Sequence, residues 1–533
     1  MFFGQKKGFG VQPAQQKFKT EKIKLDKKPP PLKSKLSSND VREGTRINTI
    51  PQRSKDNTSR LLSVPNTASG AGKKRKAEAS ANSSPRRSPN PSIRRSPSQL
   101  RLESDSESED EDESPVGSKR VKVENGDADP NRKLRDLRAF LVREEGGKKI
   151  KMINAADTML SMRKAKKGEG NGGDCDTVFL RYPSVGRGER YQLVSEGDII
   201  NPYDEEMINA FEEIMKIVDI VKDVYLTEEQ SIKFRDPENG IYRQVQKAGN
   251  IIKNMLDRKP CDKALVKELL PQFKDAVSVY NGALGALVKD GSIARNLDNM
   301  HSLPSNLVKI ILQQVYDRVV SPEVELLQKY QNGTNYVYGE LLFPFISRIL
   351  KEDTRMKSDQ VFVDLGSGVG NVVLQAALQI GCESWGCEYM PNASRLAAAQ
   401  KKEFSARCHA WGISTGSVHL EAGDFLENSK IHEAMRRADV IVVNNQVFQP
   451  ELNQSLLNLF LDLKDGCKIV SLQSFVPDGH EITARNRNNP VNVLAVERRI
   501  FGDGDVSWQP GGGDYYIATK DSSRLAKFSN WKD

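Results

Sequence analysis

A chain of 533 residues that is 37% hydrophobic and carries a formal net charge of +9 has room for two or three domains, yet it is too polar to be folded throughout. No apolar run reaches the length of a membrane span, and the opening MFFGQKKGFG lacks the apolar core and cleavage site of a secretory signal, so a soluble intracellular protein is expected. Six cysteines without a CxxC pair and five histidines without an HExxH exclude the common metal motifs; reduced thiols and no metal site follow.

Residues 1–145 read as a disordered tail of Lys, Pro, Ser and acidic blocks. Between Lys6 and Lys35 lysines recur with few acids among them, a pattern that suits a polyanion such as DNA, or equally a solvated tail without a partner. GKKRKAE (Gly72–Glu78) and SKRVKVE (Ser118–Glu124) have the composition of nuclear import signals, which points to the nucleus. SSPRRSPNPSIRRSP offers Ser-Pro sites whose charge phosphorylation would reset, and ESDSESEDEDESP is an acidic counterpart.

Order is expected from about Lys149. TVFLRYP and RYQLV predict short strands with a turn around Gly186 and Gly188. Apolar residues three and four apart then predict helices over Glu205–Leu226, Lys263–Val288 and Pro304–Val320, the first starting at Asp204 and the third after Pro304. These make residues 146–330 a mainly helical auxiliary subdomain. From Val361 onward VFVDL, ESWGCEY, SVHLEAGDF, DVIVVNN and CKIVSL alternate with helical segments, and VNVLAVERRI and DYYIATK close the series. Five alternating strands and a terminal pair predict an α/β fold with the seven-stranded class I methyltransferase sheet, the Rossmann-like catalytic domain of residues 331–533.

In VDLGSGVGN the glycines fall at 366, 368 and 370, a spacing that differs from the G-x-G-x-x-G of a dinucleotide pyrophosphate site. Asp364 precedes the turn and could grip a cationic group. Glu388 ends the next strand, where a carboxylate can accept from ribose hydroxyls, and Asp424 with Phe425 ends the third, suited to an adenine amine and ring. Acids at three successive strand ends specify a phosphate-free, cationic nucleoside cofactor, S-adenosyl-L-methionine.

YGE, DLGSGVGN followed by VVLQ, GDF, VNN with Phe and Pro-Glu after it, and SW before a YY pair occur in that order. This series resembles the disruptor of telomeric silencing family of non-SET histone methyltransferases, in a fungal-like form, over residues 330–520. The resemblance implies methyl transfer to lysine-79 of histone H3 and a role in chromatin silencing. It implies a cofactor pocket made by Tyr338, Gly339, Glu340 and Leu341, by Phe362, Val363, Asp364, Leu365, Gly366, Ser367, Gly368, Val369, Gly370 and Asn371, and by Glu388, Asp424, Phe425 and Asn444. Asn444, Tyr515 and Tyr338 would serve catalysis, with Asn445 nearby, and Trp508, Tyr515 and Phe448 would wall a lysine channel. The implied partner is the nucleosome, through the H3 core surface, the H4 tail, DNA held by the Lys-rich tail, and a ubiquitylated histone. Leu341, Asn371 and Tyr389 depart from the animal pattern, which has a hydroxyl residue, Gln and Lys there.

Methyl transfer from a sulfonium is an in-line displacement, so it needs alignment and a neutral amine more than a His or Cys nucleophile. A methyltransferase of RNA or DNA bases would carry [ND]PP[YF] after the fourth strand, where this chain reads NNQVF. A non-catalytic chromatin scaffold would have no reason to keep the acid and glycine set.

Overall fold

The computed structural model describes residues 129–141, 151–159, 161, 175–195, 208–256, 262–328 and 339–530, which belong to one compact unit, Ser88–Asp533. The Lys-rich run, the import signals, the Ser-Pro repeats and the acidic block lie outside the described residues, as do Asp204 and Tyr338.

The reading of residues 1–145 as a tail runs too far. Residues 129–141 are packed, with Leu134 and Ala139 buried and Arg132 donating to the Leu378 and Gln379 carbonyls. Of its five apolar residues, Leu134 and Ala139 are buried while Leu137 and Leu141 are exposed, so spacing alone does not mark the packed face, and the segment is held by side chains bonded to distant backbone.

The expected strands form an antiparallel hairpin, β1 (Cys175–Arg181) with β2 (Gly188–Ser195). Six helices follow: α1 (Ala210–Ile220), α2 (Glu228–Arg235), α3 (Ile241–Leu256), α4 (Lys263–Lys289), α5 (Ser292–Asp298) and α6 (Ser305–Val319). Helix α1 starts later than Glu205 because Asn209 caps it, accepting from the Glu212 amide at 3.2 Å. Asp262 caps α4 in the same way, and α6 starts directly after Pro304.

Helix α7 (Phe343–Arg348) leads into the sheet. Strand β3 (Val361–Leu365), α8 (Asn371–Gln379), β4 (Glu383–Glu388), α9 (Pro391–Trp411), β5 (Val418–Ala422), α10 (Ser429–Arg437), β6 (Val440–Val443), α11 (Pro450–Phe460) and β7 (Lys468–Ser471) alternate as expected, and β8 (Leu494–Phe501), β9 (Gly513–Lys520) and α12 (Ser523–Asn530) end the series. The sheet has seven strands in the order β5-β4-β3-β6-β7-β9-β8, parallel except that β9 runs antiparallel to both neighbours. All five residues of β3 are buried, as a central parallel strand covered on both faces requires. Val361, Val363 and Leu365 pack with Ile431, Ile441 and Leu456 on one face, while Phe362 packs with Phe345, Ala376 and Val442 on the other.

One hydrophobic core spans both sides of residue 330, for Leu378, Phe404 and Trp411 pack with Ile214, Phe273 and Val308. An ionic cluster lies inside this junction. Glu189 of β2 meets Arg318 of α6 at 2.9 Å and Arg407 of α9, which in turn bonds Glu403 at 2.7 Å; Arg318 also bonds Glu213 of α1 at 2.6 Å. Tyr182 and Tyr191 donate to the Glu189 carboxylate at 2.9 and 3.1 Å. Burial works to raise the Glu189 carboxyl, but Arg318 and then Arg407 overcome it and hold it at about 2.

Candidate cofactor and methyl-transfer site

The sheet reverses its winding between β3 and β6, and a crevice opens at the C-terminal ends of these strands. The β3–α8 turn fills one wall. Gly366, Gly368 and Gly370 have φ of +87°, +54° and +92°, a backbone region that side chains disfavour. The Gly366 and Ser367 amides both donate to the Cys387 carbonyl at 3.0 Å, which lays the turn on β4. This close approach depends on Gly386, where a Cβ would fall 2.7 Å from Ser367 Oγ. The glycine inside ESWGCEY was the available sequence signal, and the sequence reading passed over it.

Glu388 bridges the next edge of the crevice, with Oε2 accepting from the Gly368 amide at 2.8 Å and Oε1 from the Met390 amide at 2.7 Å. Each carboxylate oxygen keeps a second lone pair for a ligand. Asp364 is buried beside it. Burial first, and then the Glu388 charge, push the Asp364 carboxyl up to about 8. Burial also raises Glu388, against the pull of the Met390 and Gly368 amides.

The opposite wall is a strap over Gly339–Leu342. The Glu340 amide donates to Ser507 Oγ at 2.9 Å, the Ser507 amide to the Glu340 carbonyl at 3.0 Å, and the Leu342 amide to the Asp505 carbonyl at 2.8 Å. Trp508 packs on Gly339 so closely that a Cβ there would stand 2.7 Å from its ring. Asn444 Nδ2 donates to the Gly339 carbonyl at 3.2 Å, and Asn371 Nδ2 donates to Glu340 Oε1 at 2.9 Å, tying the strap to β6 and to the first turn of α8.

Between these walls lies a cavity of about 290 Å³. Of the residues expected at a cofactor, Gly339, Glu340, Leu341, Asp364, Gly366, Ser367, Gly368, Val369, Asn371, Glu388, Asp424, Phe425 and Asn444 line it. Phe362, Val363, Leu365 and Gly370 do not: the first three are strand core, and Gly370 packs on Leu420. The lining also includes Tyr389, one of the departures from the animal pattern, and Val372, Met390, Leu426 and Leu452, which the motifs did not mark because they are apolar neighbours of the motif residues. Phe448 lines the cavity as well, its ring 6.4 Å from that of Phe425 and nearly parallel to it.

Tyr515 and Trp508, expected to wall a lysine channel, do not line this cofactor cavity. Residues 515 and 517 of β9 face α7, because alternate residues of a strand point to opposite sides. The Tyr515 ring sits edge-on to Phe345 at 5.0 Å and its hydroxyl donates to Asp353 Oδ2 at 2.8 Å. Asn445, expected near the transferring methyl, is fully buried: its Oδ1 accepts from the Leu472 and Gln473 amides at 3.0 and 2.8 Å, which locks β6 to β7.

The cavity can be tested against S-adenosyl-L-methionine by its charge. Four carboxylates line it, those of Glu340, Asp364, Glu388 and Asp424, and among the described residues no Lys, Arg or His does. A phosphate ligand would be repelled; a ligand bearing an ammonium and a sulfonium would supply the missing positive charge. The residues present fit that cofactor.

The family described as histone methylation protein DOT1 matches residues 316–520, a span that contains every wall of the cavity. Two curated relatives bear the name histone-lysine N-methyltransferase, H3 lysine-79 specific. That of Gibberella zeae is 50% identical over 402 residues, covering 74% of this chain and 75% of its own length. That of Emericella nidulans is 44% identical over 412 residues, covering 77% and 78%. Among solved structures, an RNA methyltransferase from Salinibacter ruber in complex with S-adenosyl-L-homocysteine aligns with 34% of this chain and 94% of its own, at 22% identity and a TM-score of 0.23. With its acid-lined crevice inside the matched span and half of the aligned residues identical along three quarters of a relative, this chain belongs to the DOT1 family of histone methylation proteins.

Proposed function

We propose that this chain, an S-adenosyl-L-methionine-dependent histone-lysine N-methyltransferase of the H3 lysine-79 type, acts on that lysine within the assembled nucleosome. The reading is carried by a cavity rich in carboxylates and without a basic side chain among the described residues, set inside the span that matches the family.

In this reading Glu388 accepts from the ribose hydroxyls, Asp364 faces the cationic amino-acid end, and Asp424 accepts from the adenine amine with Phe425 and Phe448 against the ring. Gly339 to Leu341 close over the methionine end. The bound cofactor supplies an electrophilic methyl on a sulfonium. What the chain adds is alignment and dryness. Asn444, already bonded to the strap through Gly339, orients the incoming amine at the rim. A lysine ammonium with a pKa near 10.4 must lose its proton first, and the apolar wall that Trp508 gives the strap disfavours the charged form, so the proton passes to water.

The H3 core surface, the H4 tail and a ubiquitylated histone are the protein contacts of this reading, and the Lys-rich run Lys6–Lys35 holds DNA by counterion release. A histone methyltransferase works at chromatin, and the two import-type signals fit a nuclear protein with a part in silencing. Tritiated cofactor supplied with reconstituted nucleosomes, free histone H3, free DNA and free RNA tests the proposal. Label on lysine-79 of nucleosomal H3 is expected; label on nucleic acid, or on another histone position, overturns it.

A further inference from the structure

The turn Gly366–Gly370 is one end of a βα unit, β3 followed by α8. The other end is the start of β3 and the finish of α8, and both are held by the same short segment at the border of the tail. Asp129 Oδ2 accepts from the Ser358 amide at 3.0 Å and from its hydroxyl at 2.5 Å, three residues before β3 begins. Arg132, itself buried, donates its two terminal nitrogens to the Leu378 and Gln379 carbonyls in the last turn of α8. A guanidinium there satisfies carbonyls that have no partner within the helix and complements the negative end of its dipole. The fit is close: Gly381 has φ of +87°, and a Cβ on it would stand 2.8 Å from Arg132 Nε. The segment is fixed further on, where Leu134 is buried and Arg135 forms a β-bridge to Ile413.

We infer that Asp129–Arg135 is a positioning clamp for the cofactor turn, with Arg132 as its main residue: by gripping the βα unit at both of its far ends it sets where the turn stands against Glu388. Arg132 touches neither cofactor nor substrate. Its effect passes along α8, a helix of nine residues whose first turn carries Asn371 and whose N-cap is Gly370. Residues bonded at one end of so short a rigid rod fix the other end. The inference rests on the reading of the cavity as the S-adenosyl-L-methionine site.

The experiment compares the full-length chain with its R132A, R132K and S358A variants. Binding of S-adenosyl-L-homocysteine by calorimetry, KM for the cofactor, KM for nucleosomes, kcat and Tm are measured for each. R132A is expected to weaken cofactor binding about tenfold, the scale of losing a charged bond at a helix end. The nucleosome KM should stay within about twofold. R132K keeps the charge but cannot span two carbonyls, so it should fall between R132A and the parent. S358A removes one bond of the Asp129 anchor, should cost about twofold to threefold in cofactor affinity, and stands in if R132A does not fold. A lowered Tm with cofactor affinity unchanged in R132K and S358A would mean that the clamp is only structural, and the inference fails. Absence of S-adenosyl-L-homocysteine binding by the parent chain would instead sink the cofactor reading, a separate result in the same titration.

Discussion

Two of the regions that bury carboxylates treat the acid at their centre oppositely. In the junction around Glu189, three acids and two guanidiniums are folded into one cluster, and Glu189 is held at about 2. In the crevice around Asp364, four acids meet with no basic residue among the described lining, and Asp364 is pushed up to about 8. The first region is complete by itself and serves to weld the hairpin and helices to the sheet. The second is incomplete in charge among the described residues, and the ammonium and sulfonium of S-adenosyl-L-methionine would complete it. The neighbours of a buried acid thus set the direction of its shift: guanidiniums hold Glu189 low, whereas the Glu388 charge adds to the burial that raises Asp364.

Breaking the complete region should cost the most. E189Q leaves Arg318 and Arg407 short of charge in a dry interior, and a loss of about 3–5 kcal/mol of stability is expected, read as a large drop in Tm or in the denaturant midpoint. The depressed carboxyl also fixes the pH dependence. Its stabilisation is fully present above the unfolded value near 4.3 and disappears as pH falls through about 2. A parent chain and an E189Q variant with matching unfolding curves near neutral pH would erase the distinction between the two regions.

Neutralising the incomplete region should have the opposite signature. D364N is expected to weaken cofactor binding at least tenfold. The same change relieves a buried acid, so the unliganded protein should gain stability, about 1 kcal/mol or a few degrees in Tm. Because the raised carboxyl is largely protonated below about 8, a cationic ligand must draw off that proton on binding. Affinity for the cofactor should therefore tighten as pH rises from about 6 to about 8, with proton release seen in calorimetry, and D364N should flatten the profile. A flat profile in the parent would show that Asp364 is ionised without a ligand.

The neighbours Asn444 and Asn445 repeat the contrast within one dipeptide. N444A should lower kcat by about tenfold or more with Tm nearly unchanged, since its one described bond is to the strap. N445A should cost about 1–3 kcal/mol of stability, because the Leu472 and Gln473 amides lose a buried acceptor. The smallest effect is expected at Tyr515: Y515F removes a bond to Asp353, neither residue lining the cofactor cavity, and turnover should stay within about twofold. A large kcat loss in Y515F with Tm intact would place the residue in the lysine channel.

These residues also show what the sequence made legible. Asp364, Glu388 and Asp424 could be found because a parallel sheet sets successive strand ends side by side, so an order along the chain becomes a cluster in space. The seven strands were readable for the same reason, as apolar runs at regular spacing. Glu189 could not be found, for its partners Arg318 and Arg407 stand 129 and 218 positions away and nothing local announces them. At Tyr515 the order of residues located the strand, whereas the pleat decided which face the ring took. Gly386 lay in view as a lone glycine in a strand, and only the turn packed on it explains it.

The pairing of Glu340 with Ser507, and of Leu341 with Val506, has a consequence for how the protein is made. A ribosome delivers the Gly turn and all three strand-end acids long before it delivers residues 505–508, so the strap waits without its partner while the rest of the sheet assembles. The crevice gains its second wall only once residues 505–508 have emerged. A nascent chain stalled after β7 would have its acids in place and no lid to set against them, so the ability to retain a methyl donor should appear late in synthesis and abruptly.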